Sequence, residues 1–207
     1  MSAPESQKRQ GVGMKSGTFT VESNAPPRRR AAWRFLRHRR GSVAIEFSLL
    51  ALPFSLLLFA ILESCISFAG QQLLANATDN VARQLRTGQL QAVNVTKASL
   101  KTLICNDLEI IVTSGCPGLE VDLRQYATFA DAAKERIKLT ADKDIDTTGF
   151  AVAPGPATSK NMLRVFYRWP VMTDFLRKSM SNLKDNKTLH FATVTWQNEP
   201  FDDLAAP

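Results

Sequence analysis

Residues 39–70 read RRGSVAIEFSLLALPFSLLLFAILESCISFAG, a basic pair and a glycine followed by a long apolar run. From Val43 to Ala69 there are 27 residues with two charges, Glu46 and Glu63. As a helix rising 1.5 Å per residue, such a run extends about 40 Å, more than the roughly 30 Å of hydrocarbon in a bilayer. Residues 42–70 are therefore expected to form a transmembrane helix. Pro53 should loosen it near its middle, because proline removes one backbone donor and crowds the preceding turn. A secretory signal peptide is the competing reading, but its apolar region is normally shorter, and no A-x-A cleavage pattern follows Ala60.

Outward from this run the charge is uneven. Met1–Gly41 carries ten Lys/Arg and two Glu, whereas Ser42–Pro207 carries sixteen Lys/Arg against seventeen Asp/Glu, so the whole +7 of the chain sits in the leader. A high pI ordinarily invites a nucleic-acid reading. A body with this balance has no excess positive charge with which to hold phosphates, and no nucleic-acid partner is expected. Seven arginines crowd into residues 28–40. Set against an apolar span, Arg34, Arg37, Arg39 and Arg40 form the topology signal of the positive-inside rule, with the leader in the cytoplasm against anionic lipid head groups. A solvated basic tail or a mitochondrial presequence is the alternative. Residues 1–27 are rich in Ser, Gly, Pro and polar residues without apolar period. Residues 1–41 are thus expected to be a disordered basic cytoplasmic leader, and residues 71–207 an extracytoplasmic domain.

Helical periodicity continues past the span. Leu73, Leu74, Ala77, Val81 and Leu85 recur among polar residues, which predicts one helix running to about Thr87 with Gly88 as its stop. Val95, Leu100, Leu103, Ile104 and Leu108 predict a second amphipathic helix, leading into a Thr113-Ser-Gly-Cys-Pro-Gly turn. Alternation then replaces helical period. Leu119, Val121 and Leu123 alternate with Glu120, Asp122 and Arg124, Leu163, Val165, Tyr167 and Trp169 alternate with Arg164, Phe166 and Arg168, and residues 191–196 are rich in aromatic and β-branched residues. The fold class is α+β: a long N-terminal transmembrane helix continuing into a domain with a second helix and a small antiparallel sheet of at least three strands. Residues 142–160 are expected to be a long surface loop, and residues 171–180 a short helix between strands. Cys105 and Cys116, with ten residues between them in the part placed outside the cytoplasm, are expected to form a disulfide. Zinc binding is disfavoured, with only His38 and His190 to complete a site.

The junction Arg39-Arg-Gly-Ser-Val-Ala-Ile-Glu-Phe47 resembles that of type IV pilin-like precursors, and more closely that of the TadE-like proteins of tight-adherence (Flp) pilus systems. Basic leader, glycine, four residues, glutamate, aromatic residue and apolar run follow in that order. The resemblance is strongest over residues 37–70. It implies a pilin-like fold and a prepilin peptidase as a partner that cuts between Gly41 and Ser42, with Glu46 and Phe47 serving peptidase recognition and assembly. It also implies a minor pilin or pseudopilin in the bacterial inner membrane, in contact with other pilin-like subunits, the pilus machinery and the lipid bilayer. In pilins the acid at the position of Glu46 pairs with the new α-amine, here that of Ser42 on a neighbouring subunit. Read alone, Gly41 and Ser42 are a flexible joint and a helix N-cap.

No enzyme, cofactor or metal is expected. His190 is the one histidine outside the leader, and the chain has no nucleophile elbow, Walker loop, zinc-ligand pairs or glycine-rich dinucleotide fingerprint. Asp142, Asp144 and Asp146 alternate like a calcium loop, but Gly149 falls too late for an EF-hand. Tyr167, Trp169 and Trp196 read as core before they read as a binding patch. The alternative function is a single-pass membrane sensor or adaptor, with an uncleaved basic arm and a ligand-binding outer domain.

Overall fold

A computed structural model describes residues 39–201. The expected disorder of the leader, and Arg34 and Arg37 of the topology signal, lie outside the described residues. The chain divides into two units, Met1–Ala51 and Leu52–Pro207.

Helix α1, Arg39–Arg86, contains both glutamates and Pro53. From Val43 to Leu50, in the first unit, its side chains are exposed, Val43 and Phe47 by 71% and 70%. Ser48 Oγ donates back to the Ala44 carbonyl at 2.8 Å. Ser64 Oγ does the same to Ala60 at 2.9 Å. Hydroxyls satisfied by their own helix remove one obstacle to an apolar surrounding. The helix from Val43 on is long and apolar enough to cross a membrane, with mean hydropathy 2.3 in its most apolar 18 residues and none of that window buried.

In the second unit the exposed apolar surface gives way to a buried stripe at Glu63, Ser67, Gly70, Leu74, Ala77, Thr78, Val81 and Leu85. The alternating three- and four-residue steps keep one helical face turned toward the sheet. The helix stops where the periodicity predicts. Gly88 has φ +76°, and a β-carbon there would stand 2.7 Å from the Phe201 ring, so both backbone and space require glycine.

Helix α2, Lys97–Leu108, starts at a capping box in which Thr96 and Ser99 exchange hydrogen bonds. It buries Leu100, Ile104, Cys105 and Leu108. The strands are β1 (Leu119–Tyr126), β2 (Val152–Ala153), β3 (Lys160–Pro170) and β4 (Lys187–Gln197), in the order β2-β1-β3-β4. β3 pairs antiparallel with both β1 and β4, as the alternating residues predict. The sheet is nonetheless mixed, because β2 adds a two-residue parallel pair, Leu123 opposite Val152, out of the segment expected to be loop throughout. A single turn, α3 (Phe129–Ala132), and a short helix, α4 (Asp174–Met180), complete the elements that position the site.

One core joins the helices to the sheet. Leu74, Ala77, Val81 and Leu85 of α1 and Leu100, Ile104 and Leu108 of α2 pack on Leu119, Val121, Leu123, Leu163, Val165, Tyr167, Trp169, Ala192 and Trp196. The three aromatic residues are core, as expected. The other face of the sheet is buried as well. Asp122, Arg164 and Phe166 there are 1%, 5% and 1% exposed. The irregular segment after β1 covers them, with Phe150 stacked on Phe166 at 5.3 Å.

Candidate functional site: the collar between helix and head

The collar is built from polar and small residues of α1 at the spacing of its buried stripe. Glu63 is 8% exposed, and its carboxylate accepts from the backbone amides of Met172 at 2.5 Å and Thr173 at 3.0 Å. Those amides lie just ahead of α4, so a carboxylate on the apolar helix satisfies donors that would otherwise need water. One turn on, Ser67 Oγ and His190 Nε2 are 3.0 Å apart. At Gly70 the Trp169 indole lies against the helix backbone, where a β-carbon would stand 2.5 Å from the ring. Trp169 in turn stacks on His190, with centroids 5.0 Å apart and planes 18° from parallel. Gln71 Nε2 donates to the Phe191 carbonyl at 2.8 Å. Four successive collar positions on α1 therefore grip the ends of β3 and β4 and the lead into α4.

Burial pushes the His190 imidazole down to about 4, so it is neutral at physiological pH. Its Nδ1 has no hydrogen-bond partner among the described residues. A serine and a histidine at hydrogen-bond distance resemble a nucleophile and its base, but a base also needs an orienting group and an approach for substrate. Ser67 and His190 are 7% and 6% exposed beneath Trp169, so the pair acts as a fastening.

The opposite face of the sheet is held by charge. Asp122 accepts from Arg164 at 2.5 Å and from Arg124 at 3.0 Å, and Arg124 also meets Glu135 at 3.3 Å. Asp144, the middle member of the calcium-like triplet, accepts from Arg168 at 2.8 Å and Lys184 at 3.3 Å. Burial alone would raise its pKa, but hydrogen bonds from Arg168, the Ile145 amide and Lys184 outweigh it and hold Asp144 at about 2. Asp146 is likewise engaged, by the Thr148 amide at 2.9 Å. Asp144 and Asp146 are thus both engaged within the protein.

Cys105, in the last turn of α2, and Cys116, ahead of β1, form a disulfide with an S–S distance of 1.99 Å. It closes the turn in which Glu109 accepts from Gly115 N at 2.9 Å. Of the other residues singled out from sequence, Gly41 and Ser42 lie inside the first turn of α1, whose start at Arg39 precedes the expected one by three residues. Glu46 and Phe47 follow on the exposed surface of the same helix. The collar is what sequence reasoning misses, although a signal exists in Glu63, Ser67 and Gly70, three polar or small residues at i, i+4 and i+7 within an apolar run.

An apolar helix able to cross a membrane, carrying an α+β head through a polar collar, defines the class of a membrane-associated protein with one candidate anchoring helix among the described residues. Residues 41–83 match the family model described as TadE-like protein, so the resemblance of the junction extends through the collar and most of α1. This match supports a membrane protein associated with the tight-adherence pilus. No curated protein and no solved structure matches the chain.

Proposed function

We propose that the chain is a pilus assembly protein of the TadE-like kind, a minor pilin or pseudopilin. It is inserted into the bacterial inner membrane with its basic leader inside, cut after Gly41 by a prepilin peptidase, and joined to other pilin-like subunits through its apolar helix. The observation that carries the reading is the coincidence of the family match, which opens at Gly41, with the G-x-x-x-x-E spacing between an arginine cluster and a membrane-length helix. Gly41 and Ser42 sit in the first helical turn, whose amides lack intrahelical acceptors, so opening this bond to a protease costs little. Glu46 lies one turn further. A carboxylate within a span costs on the order of 2.5–3.5 kcal/mol at mid-helix and less near the edge, a cost offset when it meets the freed α-amine of Ser42 on a neighbouring subunit. Such a pair fixes axial register between helices more than it adds stability. The Cys105–Cys116 bond supports an oxidising compartment for the head and hence a cytoplasmic leader. In this reading the protein performs no turnover: the helix packs laterally and the head presents a surface to the assembly.

N-terminal sequencing of the protein extracted from its native membrane tests the proposal. The expected first residue is Ser42, and Gly41 replaced by a bulky residue should retain a leader about 4 kDa in mass, from the mean residue mass of the residues removed. A native chain that still begins with the arginine-rich leader overturns the pilin reading and favours the adaptor.

A further inference from the structure

The head carries a second apolar feature beside the collar. Met172, just ahead of α4, and Phe175, in its first turn, are 69% and 54% exposed, large side chains that the head leaves uncovered. Their height along α1 is fixed, because the Met172 and Thr173 amides both bond to the Glu63 carboxylate. The helix does not become polar at that height. Ile66 and Phe68, 46% and 71% exposed, lie three and five residues beyond Glu63, about 4.5 and 7.5 Å farther from the span along the helix axis. Lipid that covers Phe68 therefore reaches past the level of Met172. Below it, Phe59, Ile61 and Leu62 continue the same exposed apolar surface. At the other end of α4 stand Arg177, which pairs with Asp174, and the exposed Lys178, whose long stem can lie on an apolar base while its ammonium stays in a polar layer.

We propose that Met172 and Phe175 form a foot that dips into the outer leaflet of the bilayer crossed by α1, with Lys178 directed to its phosphate layer. The occupant of this apolar patch is the phospholipid interface. This rests on the reading of α1 as a membrane span. The foot sets the depth at which the head rides, and Glu63, bonded to the amides behind it, is the brace that holds the foot against the helix. Interfacial segments bind by this combination of buried apolar side chains and neighbouring cations.

Nitroxide labels in the full chain test it, with Cys65→Ser removing the exposed native thiol and the Cys105–Cys116 bond left intact. The protein, in nanodiscs of phosphatidylcholine and phosphatidylglycerol, is labelled in turn at Met172→Cys, Phe175→Cys, Leu58→Cys in the span, and Thr193→Cys on the exposed part of β4. Collisions with oxygen, which partitions into lipid, are compared with collisions with a water-soluble nickel chelate. The expected result is oxygen preference at 58, 172 and 175 and nickel preference at 193. Nickel preference at 172 and 175 with oxygen preference at 58 overturns the foot and leaves the span standing. Labels at 172 and 175 shielded from both reagents indicate a protein neighbour, a second copy included, and also overturn it. Nickel preference at 58 overturns the span and the foot together.

Discussion

The two faces of the sheet are held by different physics. Toward the helices, Leu163, Val165, Tyr167 and Trp169 of β3 meet apolar side chains of α1 and α2. On the reverse face of the same strand, Arg164 and Arg168 meet Asp122 and Asp144, and Phe166 meets Phe150. Both faces are buried, so the contrast does not divide inside from outside. It divides a face organised by regular helices, which can supply apolar stripes, from one covered by an irregular segment, which has few apolar residues and uses paired charges instead. Burying a charge pair contributes little net stability but makes each partner dependent on the other.

The largest expected effect breaks that dependence. Arg164→Ala strands the nearly inaccessible Asp122 carboxylate and should cost about 3–5 kcal/mol. Leu163→Ala on the helix side should cost a comparable 2–5 kcal/mol by opening a cavity. The faces separate in their rescue: replacing Asp122 by Leu together with Arg164 by Met should restore most of the loss. Denaturant unfolding of the full chain in micelles, followed by the fluorescence of Trp169 and Trp196, measures all three variants. A double variant no better than Arg164→Ala would show that the charges do more than neutralise each other.

Acid sharpens the same comparison. On the helix side, His190 is held near 4, below its ordinary 6.5, so as pH falls through that window the unfolded chain takes up the proton first. Stability is then full above 6.5, declines by up to roughly 3 kcal/mol on the way to 4, and levels off below. His190→Phe keeps an aromatic ring against Trp169 and should flatten this slope. On the other face, Asp144 is depressed to about 2 from 3.8, so its contribution is complete above 3.8 and disappears as pH falls toward 2. That effect should be the smallest, at most about 2 kcal/mol after allowance for its partial exposure, and Asp144→Asn should abolish it. Unfolding midpoints measured from pH 7 to pH 2 distinguish the two windows.

What is legible in the sequence follows from what has a period. The run from Val43, the recurrence of Leu74, Ala77, Val81 and Leu85, and the alternation in β1 and β3 each repeat over several residues, and Gly88 ends its helix through its own backbone preference. The mixed sheet is not legible because β2 is two residues long and has no pattern to display. The ionic face is not legible for a different reason: alternating charge looks the same whether it meets water or an opposite charge brought from 42 residues away, as Asp122 and Arg164 are. Glu63 and Ser67 find their partners 109 and 123 residues downstream, beyond the reach of any local pattern. The proposed processing signal, Gly41 to Phe47, is by contrast a pattern in linear order and so shows in the sequence.

Trp169 fills the space that a β-carbon at position 70 would need, while Glu63, Ser67 and Gln71 clasp the head at neighbouring heights. Twisting α1 by one residue, about 100°, would turn that bare patch of backbone away and drive a side chain into the indole. From Leu52 outward, helix and head are therefore keyed like a shaft in a slotted hub. Any partner that chooses a face of the apolar helix also chooses which way the head points, and torque applied to one is delivered to the other.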